Sequence, residues 1–266
     1  MQRLPTLFLS HGSPMHAIEP GEAAGAWKAL AASIPRPRAV LIASAHWETS
    51  LPMLTGRDRL DTIHDFGGFP EELYRIRYDA PGAPGVARRA QALLRDAGYT
   101  AAIDGCRGID HGAWVPLRWM YPNRDVPIVQ VSVQPSLGTE HHLRLGEALA
   151  PLADEGVLVI GSGHVTHNLR DWMTSRGDPR VLDYVPQFAE WLNQRIANDD
   201  REAVLEYRER APSGERAHPT EEHFLPLFVA WGAAGAGARA TRVLASVDGG
   251  ALSMDAYRFD QAAASH

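Results

Sequence analysis

The sequence predicts one α/β domain spanning residues 1–266, with a central, mostly parallel or mixed sheet and helices on both faces. The apolar runs at 39–43 and 157–160 have the length and continuity of strands that are buried on both faces. Amphipathic stretches at 86–97 and 181–197 have helical periodicity and alternate with these runs. A chain of 266 residues fits one large domain of this class.

Further elements follow the same alternation along the chain. Strands are expected at 7–9, 101–103, 127–133, 241–247 and 256–259, and helices at 25–33, 140–152 and 223–233. Gly98 is placed to end the helix at 86–97. Residues 50–85 are rich in glycine, proline and aspartate, so we expect a long functional loop or lid there. The Gly/Ala-rich stretch at 232–240 is expected to be a surface loop.

Composition excludes several classes of function. The net charge of −6 argues against nucleic acid or an anionic membrane as the main partner. The single cysteine, Cys106, excludes an intramolecular disulfide and a CxxC site. The apolar run at 4–9 is too short for a signal peptide, and no stretch has the length of a membrane span, so we expect a cytoplasmic protein. Twelve histidines are the outlier, because imidazole is the commonest metal ligand and an acid/base group near neutral pH.

Four of these histidines follow predicted strands. His11 follows the strand at 7–9 by two residues, and His46 follows the run at 39–43 by three. His164 and His167 come after 157–160, in a glycine-rich turn. Because ligands bind beyond the carboxyl ends of strands in open α/β sheets, we expect these imidazoles to converge on one metal or acid/base site.

Other polar and aromatic residues are candidates for the same pocket. His111 is expected on a loop, where the neighbouring Asp110 favours a hydrogen bond from the imidazole to an anionic substrate. Trp47 could wall the pocket, and Glu48 could orient a ligand. Each residue alone also fits an ordinary loop or strand-end role.

Two more histidines lie at or just before the start of the predicted helix at 223–233. His218 and His223 flank a short polar segment in which Thr220 is a plausible helix cap. By contrast, His141 and His142 open a helix and are expected to be solvated. Competing chemistries lack their motifs, since the chain has no GxSxG elbow, no Walker lysine and no GxGxxG turn after its first strand.

Five motifs in order along the chain carry a family resemblance. They are Ser10-His11-Gly12-Ser13-Pro14, Ser44-Ala45-His46-Trp47, Asp110-His111-Gly112, Gly161-Ser162-Gly163 with His167-Asn168-Leu169, and His218-Pro219 followed by Glu222-His223-Phe224-Leu225-Pro226-Leu227. This set resembles the DODA-type extradiol aromatic ring-opening dioxygenases, of the class III group that includes the protocatechuate 4,5-dioxygenase catalytic subunit. The motifs run from residue 10 to about 231, which is nearly the whole chain.

The resemblance implies a non-haem Fe(II) enzyme that cleaves a catechol-type ring beside its hydroxylated carbons and inserts both atoms of O2. A DOPA-like compound is one candidate substrate. His11, His46 and His223 match the metal ligands, and His167 matches the acid/base histidine, with a role as fourth ligand left open. His111 matches a histidine of the substrate pocket.

Two departures from the family pattern leave alternatives open. Protocatechuate-type enzymes use a carboxylate as third ligand, so Glu221 or Glu222 competes with His223, which the DODA-type pattern favours. With three imidazoles, Zn(II) could replace Fe(II) in a purified sample. The resemblance gives no role to His164.

The substrate pocket is outlined only in part by the sequence. Trp47, Glu48, His218 and Glu222 are expected to line the pocket or to support the ligands, and Phe66, Tyr74 and Trp114 could shape it, with 57–78 as a lid. A non-enzymatic metal-binding protein of the same fold, or a zinc hydrolase, remain alternatives. The sequence leaves the oligomeric state open.

Overall fold

Twelve strands are distributed along the part of the chain that the structure describes. The computed structural model describes residues 3–175, 178 and 180–261. In chain order the strands are β1 (Thr6–Ser10), β2 (Ala39–Glu48), β3 (Met53–Thr55), β4 (Arg59–Leu60), β5 (Ala80–Pro81), β6 (Ala102–Asp104), β7 (Ile128–Val133), β8 (Val157–Gly163), β9 (Arg239–Leu244), β10 (Val247–Asp248), β11 (Leu252–Ser253) and β12 (Ala256–Asp260).

Helices fill most of the intervals between the strands. They are α1 (Gly21–Ser33), α2 (Glu71–Arg75), α3 (Pro84–Asp96), α4 (His111–Met120), α5 (Gly138–Leu149), α6 (Pro151–Asp154), α7 (Leu169–Thr174), α8 (Tyr184–Ala197), α9 (Arg201–Leu205), α10 (Tyr207–Arg210), α11 (Gly214–Ala217) and α12 (Leu225–Ala234). Short 3-10 turns lie at Pro14–Ala17 and Pro135–Leu137. Gly98 has a φ of +90° just after α3, which is the helix end that the sequence predicts.

Eight strands form one mixed sheet in the order β6-β3-β7-β2-β8-β1-β12-β9. The four central strands β7, β2, β8 and β1 are parallel to one another, so their carboxyl ends meet at one edge. β12 and β9 continue the sheet in antiparallel fashion.

Both faces of the sheet are covered, and β2 shows this most directly. Val40 and Ile42 pack into a core with α1 and α4, whereas Leu41 and Ala43 pack into a second core with α3, α5 and α12. Successive side chains of a strand point to opposite faces, so a continuous apolar run is the expected sequence of such a strand. The predicted fold class is confirmed.

The structure corrects several predicted element bounds. β2 extends to Glu48, so His46 lies inside the strand rather than beyond it, and Gly161 and Gly163 belong to β8 rather than to a turn. His111 is the first residue of α4, a helix that the sequence analysis missed, and does not lie on a loop. Thr220 does not cap α12, because Phe224 holds the cap position and no side chain caps this helix.

The predicted loops also hold regular structure in part. The segment 50–85 contains four short strand or helix elements, β3, β4, α2 and β5. α12 and β9 enter the stretch at 232–240 from its two ends. Among the described residues, no helix combines the length and the apolar character that crossing a membrane requires.

Candidate metal centre and active site

A cavity of about 270 Å³ opens at the carboxyl ends of β1, β2 and β8. His11 follows β1 directly, His46 lies near the end of β2, and His164 follows β8. As the sequence predicts, these neighbouring strands bring their histidines to one edge of the sheet. Six histidines line the cavity: His11, His46, His111, His164, His167 and His223.

Local backbone features aim these side chains. The pairing of β2 with β7 is irregular between Ala43 and Glu48, and such a bulge re-aims the side chains within it, here including His46. Gly163 lets the chain before α12 lie directly on β8, because a Cβ at this glycine would lie 2.0 Å from the carbonyl oxygen of His223. This contact brings His223, far along the chain, to the strand ends.

Three imidazole nitrogens converge at the floor of the cavity. Nε2 of His46 lies 3.0 Å from Nε2 of His11 and 3.2 Å from Nε2 of His223. One ligand atom from each of these three residues lies within 4.8 Å of the others. The third candidate ligand is thus a histidine in a converging set of three.

The opposite ring nitrogens of two of these histidines donate to the protein. Ser162 donates its hydroxyl hydrogen to the carbonyl of Gly112, so its Oγ accepts from Nδ1 of His11 at 3.0 Å. Nδ1 of His223 lies 2.9 Å from a carboxylate oxygen of Glu222, which only accepts when ionised. In His11 and His223, therefore, Nδ1 holds the proton and Nε2 presents a lone pair.

His46 is oriented in the same sense. Its Nδ1 lies 3.4 Å from Oδ2 of Asp65. Burial is the largest cause that lowers the pKa of His11, His46 and His223 well below the usual 6.5, and neighbouring histidines lower it further. All three rings are therefore neutral near pH 7.

Three neutral nitrogens with lone pairs facing each other at this separation fit a bound cation. Metal-ligating histidines characteristically donate their other nitrogen to an oxygen of the protein, as His11 and His223 do here, and Nδ1 of His46 faces the carboxylate of Asp65. The donor set of imidazoles suits iron or zinc. The cavity floor is thus a candidate metal centre, and the residues present fit a metal ion.

His111 is held by Asp65 rather than by Asp110. Nδ1 of His111 lies 2.9 Å from Oδ2 of Asp65, and the His111 backbone N–H donates to Oδ1 at 2.9 Å. Burial raises the pKa of Asp65, but the hydrogen bonds from His111 outweigh it and lower this pKa to about 2. Asp65 is therefore ionised near pH 7 and accepts both hydrogen bonds.

Asp110, expected to act on the imidazole of His111 as its neighbour in the sequence, is hydrogen-bonded to other residues. The carboxylate of Asp110 is fully buried and accepts hydrogen bonds from Ser44, Gln130 and Arg107 instead. Burial raises its pKa. Asp110 therefore joins the first turn of α4 to the sheet and does not touch the imidazole beside it in the sequence.

His167 and His164 occupy different positions on the cavity wall. The ring of His167 is stacked on that of His223, with centroids 3.4 Å apart and 12° between the planes. Burial is the larger cause that lowers the pKa of His167 to about 4, and His111 adds to it. His164 accepts a hydrogen bond at Nε2 from the backbone N–H of Gly12, at 3.1 Å. That contact holds the turn after His11, where Gly12 has a φ of +70°.

The other predicted residues surround the site at different depths. Glu222 touches His223, as described above. Trp47 is buried under the guanidinium of Arg107, 4.6 Å from the ring centroid, and does not line the cavity. Glu48 lies at the exposed end of β2 and does not line the cavity, and its pKa is raised by partial desolvation and by the charge of Glu222. The ring of His218 is buried, donates from Nε2 to the carbonyl of Val165, and packs on Phe224 behind the cavity.

Sequence reasoning missed two residues that the geometry brings into the site. Asp65 lay inside the predicted lid and was not singled out there. Ser162 lay in a quoted motif but received no role. A carboxylate between His64 and Phe66, two ring residues in a Gly-rich segment, was the available signal for the first. Tyr74 and Trp114, expected to shape the pocket, do not line it, whereas Phe66 does.

Comparisons with known proteins decide the family. The family described as the catalytic LigB subunit of aromatic ring-opening dioxygenase matches residues 5–251. The chain belongs to this LigB family. It is an extradiol aromatic ring-opening dioxygenase, and its reaction takes an aromatic substrate and O2.

Individual relatives match this LigB-family enzyme over almost its full length. It is 46% identical over 263 residues to the 4,5-DOPA dioxygenase extradiol of Beta vulgaris, covering 96% of both chains. It is 37% identical to the protein of the same name from Escherichia coli, over 95% of this chain and 93% of the relative. The crystal structure of an uncharacterised protein from Escherichia coli K12 has a TM-score of 0.81 and 32% identity, over 96% of this chain and 99% of that one.

Proposed function

We propose that this extradiol dioxygenase holds a ferrous ion through His11, His46 and His223 and opens the ring of a catechol-type substrate. The observation that carries the proposal is the convergence of three Nε2 lone pairs, 3.0 and 3.2 Å apart, on the floor of a cavity. When bound, Fe(II) supplies open coordination positions for the catechol oxygens and for O2.

His223, rather than a neighbouring glutamate, is the proposed third ligand. Glu222 accepts a hydrogen bond from Nδ1 of His223, which leaves Nε2 for the ion. Glu221 accepts from the hydroxyl of Tyr207 at 3.2 Å and lies 3.9 Å from Arg208, away from the three converging nitrogens. These contacts favour an all-imidazole centre with outer carboxylates.

His167 is the proposed acid/base residue. A pKa near 4 keeps its imidazole neutral at pH 7, so that it can accept a proton from a catechol hydroxyl and return it to a later oxygen. Its ring nitrogens are grouped with Glu222 and His223, but not with His11 and His46, among sets of mutually close donor atoms. That grouping favours the acid/base role over a fourth ligand.

His111 is the proposed substrate-positioning residue. Its Nδ1–H is donated to Asp65, so Nε2 presents a lone pair to the cavity that it lines. A catechol hydroxyl can donate to that lone pair. His111 would therefore hold one hydroxyl oxygen of the catechol, while His167 would accept and return the proton of the other hydroxyl.

The rest of the cavity fits an aromatic ring with a short side chain. Its apolar walls include Pro14, Phe66, Phe69, Leu169 and Leu252. Relatives of this chain are named for action on 4,5-DOPA, so a DOPA-like catechol is the proposed substrate class. With one cysteine, and therefore no disulfide of its own, the protein is proposed to work in the cytoplasm.

Anaerobic reconstitution tests the proposal. Metal-free protein should bind about one Fe(II) per chain and then consume O2 with DOPA and related catechols, forming a yellow ring-opened product. The Zn(II)-loaded protein is the control and should give no product. Oxygen uptake that fails across the catechol panel would contradict the proposal and favour a metal-binding protein without this activity. Hydrolysis of esters by the Zn(II) form alone would favour a zinc hydrolase.

A further inference from the structure

Asp65 connects the loop above the cavity to two of its histidines. Its Oδ1 accepts the backbone N–H of His111, and its Oδ2 accepts Nδ1–H of the same residue, both at 2.9 Å. The same Oδ2 lies 3.4 Å from Nδ1 of His46. One carboxylate therefore faces three donors on two separate elements, β2 and the start of α4.

The tautomer of each ring follows from this arrangement. An ionised carboxylate has no hydrogen to donate, so Nδ1 of His111, which is hydrogen-bonded to it, must hold the proton. Nδ1 of His46 faces the same oxygen at 3.4 Å without a hydrogen bond, and the negative charge there favours a proton on that nitrogen as well. The proton on Nδ1 leaves Nε2 bare in both rings. In His46, Nε2 is one of the three converging nitrogens, and the ring of His111 lies 4.0 Å away, centroid to centroid, on the cavity wall.

We propose that Asp65 is a positioning residue that fixes the Nδ1–H tautomer of His46 and of His111 together. The assignment of what the two bare nitrogens bind, an ion and a substrate hydroxyl, rests on the proposed function. The tautomers themselves rest only on the contacts of Asp65. One side chain thus prepares both the metal ligand and the substrate contact.

The same residue also places part of the cavity wall. Phe66 follows Asp65 directly, lines the cavity, and lies edge-on to the ring of His111 with centroids 5.6 Å apart. Phe69, three residues further on, lines the cavity as well and packs on Phe66. Docking of this loop through Asp65 therefore sets the wall and the two imidazoles in a single arrangement.

A second metal ion is the competing explanation for this cluster. His46, Asp65 and His111 place one donor atom each within 4.8 Å of the others. Here, however, an acceptor-only carboxylate faces nitrogens that can each hold a proton, so hydrogen bonds satisfy the group without a cation. At the cavity floor, by contrast, three bare nitrogens face each other. The count of ions per chain separates the two explanations.

Substitution Asp65→Asn tests the inference because it keeps the shape of the side chain and replaces one hydrogen-bond acceptor, a carboxylate oxygen, by an NH2 donor. The amide oxygen can still accept from the backbone N–H of His111, whereas the amide NH2 must then donate to Nδ1. We expect His111 to change to the Nε2–H tautomer, and kcat of the Fe(II) enzyme to fall by about 100-fold or more, as wrong-tautomer variants do elsewhere. KM should change by less than kcat.

Histidine 15N NMR of the diamagnetic Zn(II)-loaded protein reads the tautomers without any turnover. Asp79→Asn is the matched control, because Asp79 lies on the same segment but accepts from Thr62 at 2.8 Å and contacts neither histidine. This control should leave both tautomers and kcat unchanged. A lower kcat with unchanged tautomers would indicate a merely structural role and overturn the inference.

The wild-type spectrum alone is decisive if the Asn variant fails to fold. Nε2–H on His111 in the wild-type protein would overturn the inference, as would two Zn(II) ions per chain. Absence of oxygen uptake by the wild-type Fe(II) form would contradict the proposed function instead, and the tautomer measurement would still judge the role of Asp65.

Discussion

His142 and the histidines of the cavity floor are similarly buried but use their ring nitrogens differently. His142, in α5, accepts at Nε2 from the backbone N–H of Gln134 at 3.0 Å and donates from Nδ1 to the carbonyl of Gly138. Both of its nitrogens are satisfied by the chain. His11 and His223 satisfy only Nδ1 with the protein and direct Nε2 to the common centre.

Burial therefore does not separate a structural histidine from a proposed metal ligand, and neither does residue type. The deciding quantity is which ring nitrogens remain after every hydrogen bond of the protein is assigned. The expectation that His142 is solvated is wrong, because its side chain in α5 is fully buried. Four experiments test whether the ring nitrogens left free by the protein distinguish the two kinds of histidine.

Removal of a cavity-floor ligand should have the largest effect. In His223→Ala, metal affinity should fall by more than the roughly 100-fold that loss of an outer partner can cost, and oxygen uptake should disappear. Isothermal titration with Zn(II) and an oxygen electrode measure the two quantities. His142→Gln is the control, because Gln retains an acceptor for the Gln134 N–H, and it should bind the ion normally. Equal loss of metal in both variants would contradict the distinction between His223 as a proposed ligand and His142 as a structural residue.

Removal of the proposed acid/base group should separate turnover from metal binding. In His167→Ala, kcat should fall by about 10²- to 10⁴-fold, because proton transfer by a positioned side chain contributes that much. Iron content should stay near the wild-type value, as measured by atomic absorption on the same samples. Loss of iron along with activity would instead make His167 a ligand.

Acidification should lower the stability of the protein through the structural histidine, His142. Burial is the largest cause that lowers the pKa of His142, from 6.5 to about 4, so the unfolded chain binds a proton in this range before the folded chain does. The free energy of unfolding should therefore fall as pH decreases from 6.5 to 4, by about 3 kcal/mol from this residue alone. Urea unfolding of metal-free protein measures it, and His142→Gln should show a correspondingly smaller loss. Identical pH profiles would mean that His142 does not titrate in this way.

The outer carboxylate should have the smallest effect of the four. Glu222→Gln should weaken metal binding by about 10- to 100-fold, because the amide no longer selects the Nδ1–H form of His223 as strongly. Glu221→Gln is the matched control, since Glu221 contacts Tyr207 rather than the imidazole. A larger loss in the Glu221 variant would make that carboxylate a ligand and contradict the all-imidazole centre.

The strand-end histidines could be predicted from the sequence because a buried parallel strand leaves a continuous apolar run. The end of such a run locates the sheet edge, and His11, His46 and His164 were placed there correctly even though β2 and β8 are longer than their apolar runs. The ends of β2 and β8 were not predicted because they contain polar residues, among them Ser44 and Ser162, which interrupt the apolar pattern. Polar residues occur there because the strand ends face the site and not the core.

Other parts of the site could not be read in this way. α4 has no amphipathic pattern, since nearly all its residues are buried, and it contains Gly112 and Pro116, which are poor helix formers. Asp65 acts across a distance of 46 residues from a loop, where no periodicity predicts direction. The sequence therefore indicated an influence of the adjacent Asp110 on the imidazole of His111, whereas the carboxylate that contacts this ring is that of Asp65.

The close approach of β8 to the residues before α12 links metal binding to the order in which the chain folds. His46 is 35 residues from His11 but 177 residues from His223, and the backbone of His223 lies directly on Gly163 at the site. An unfolded chain would have to close very long loops to gather these ligands. Metal should therefore bind only the finished fold and raise its stability by mass action.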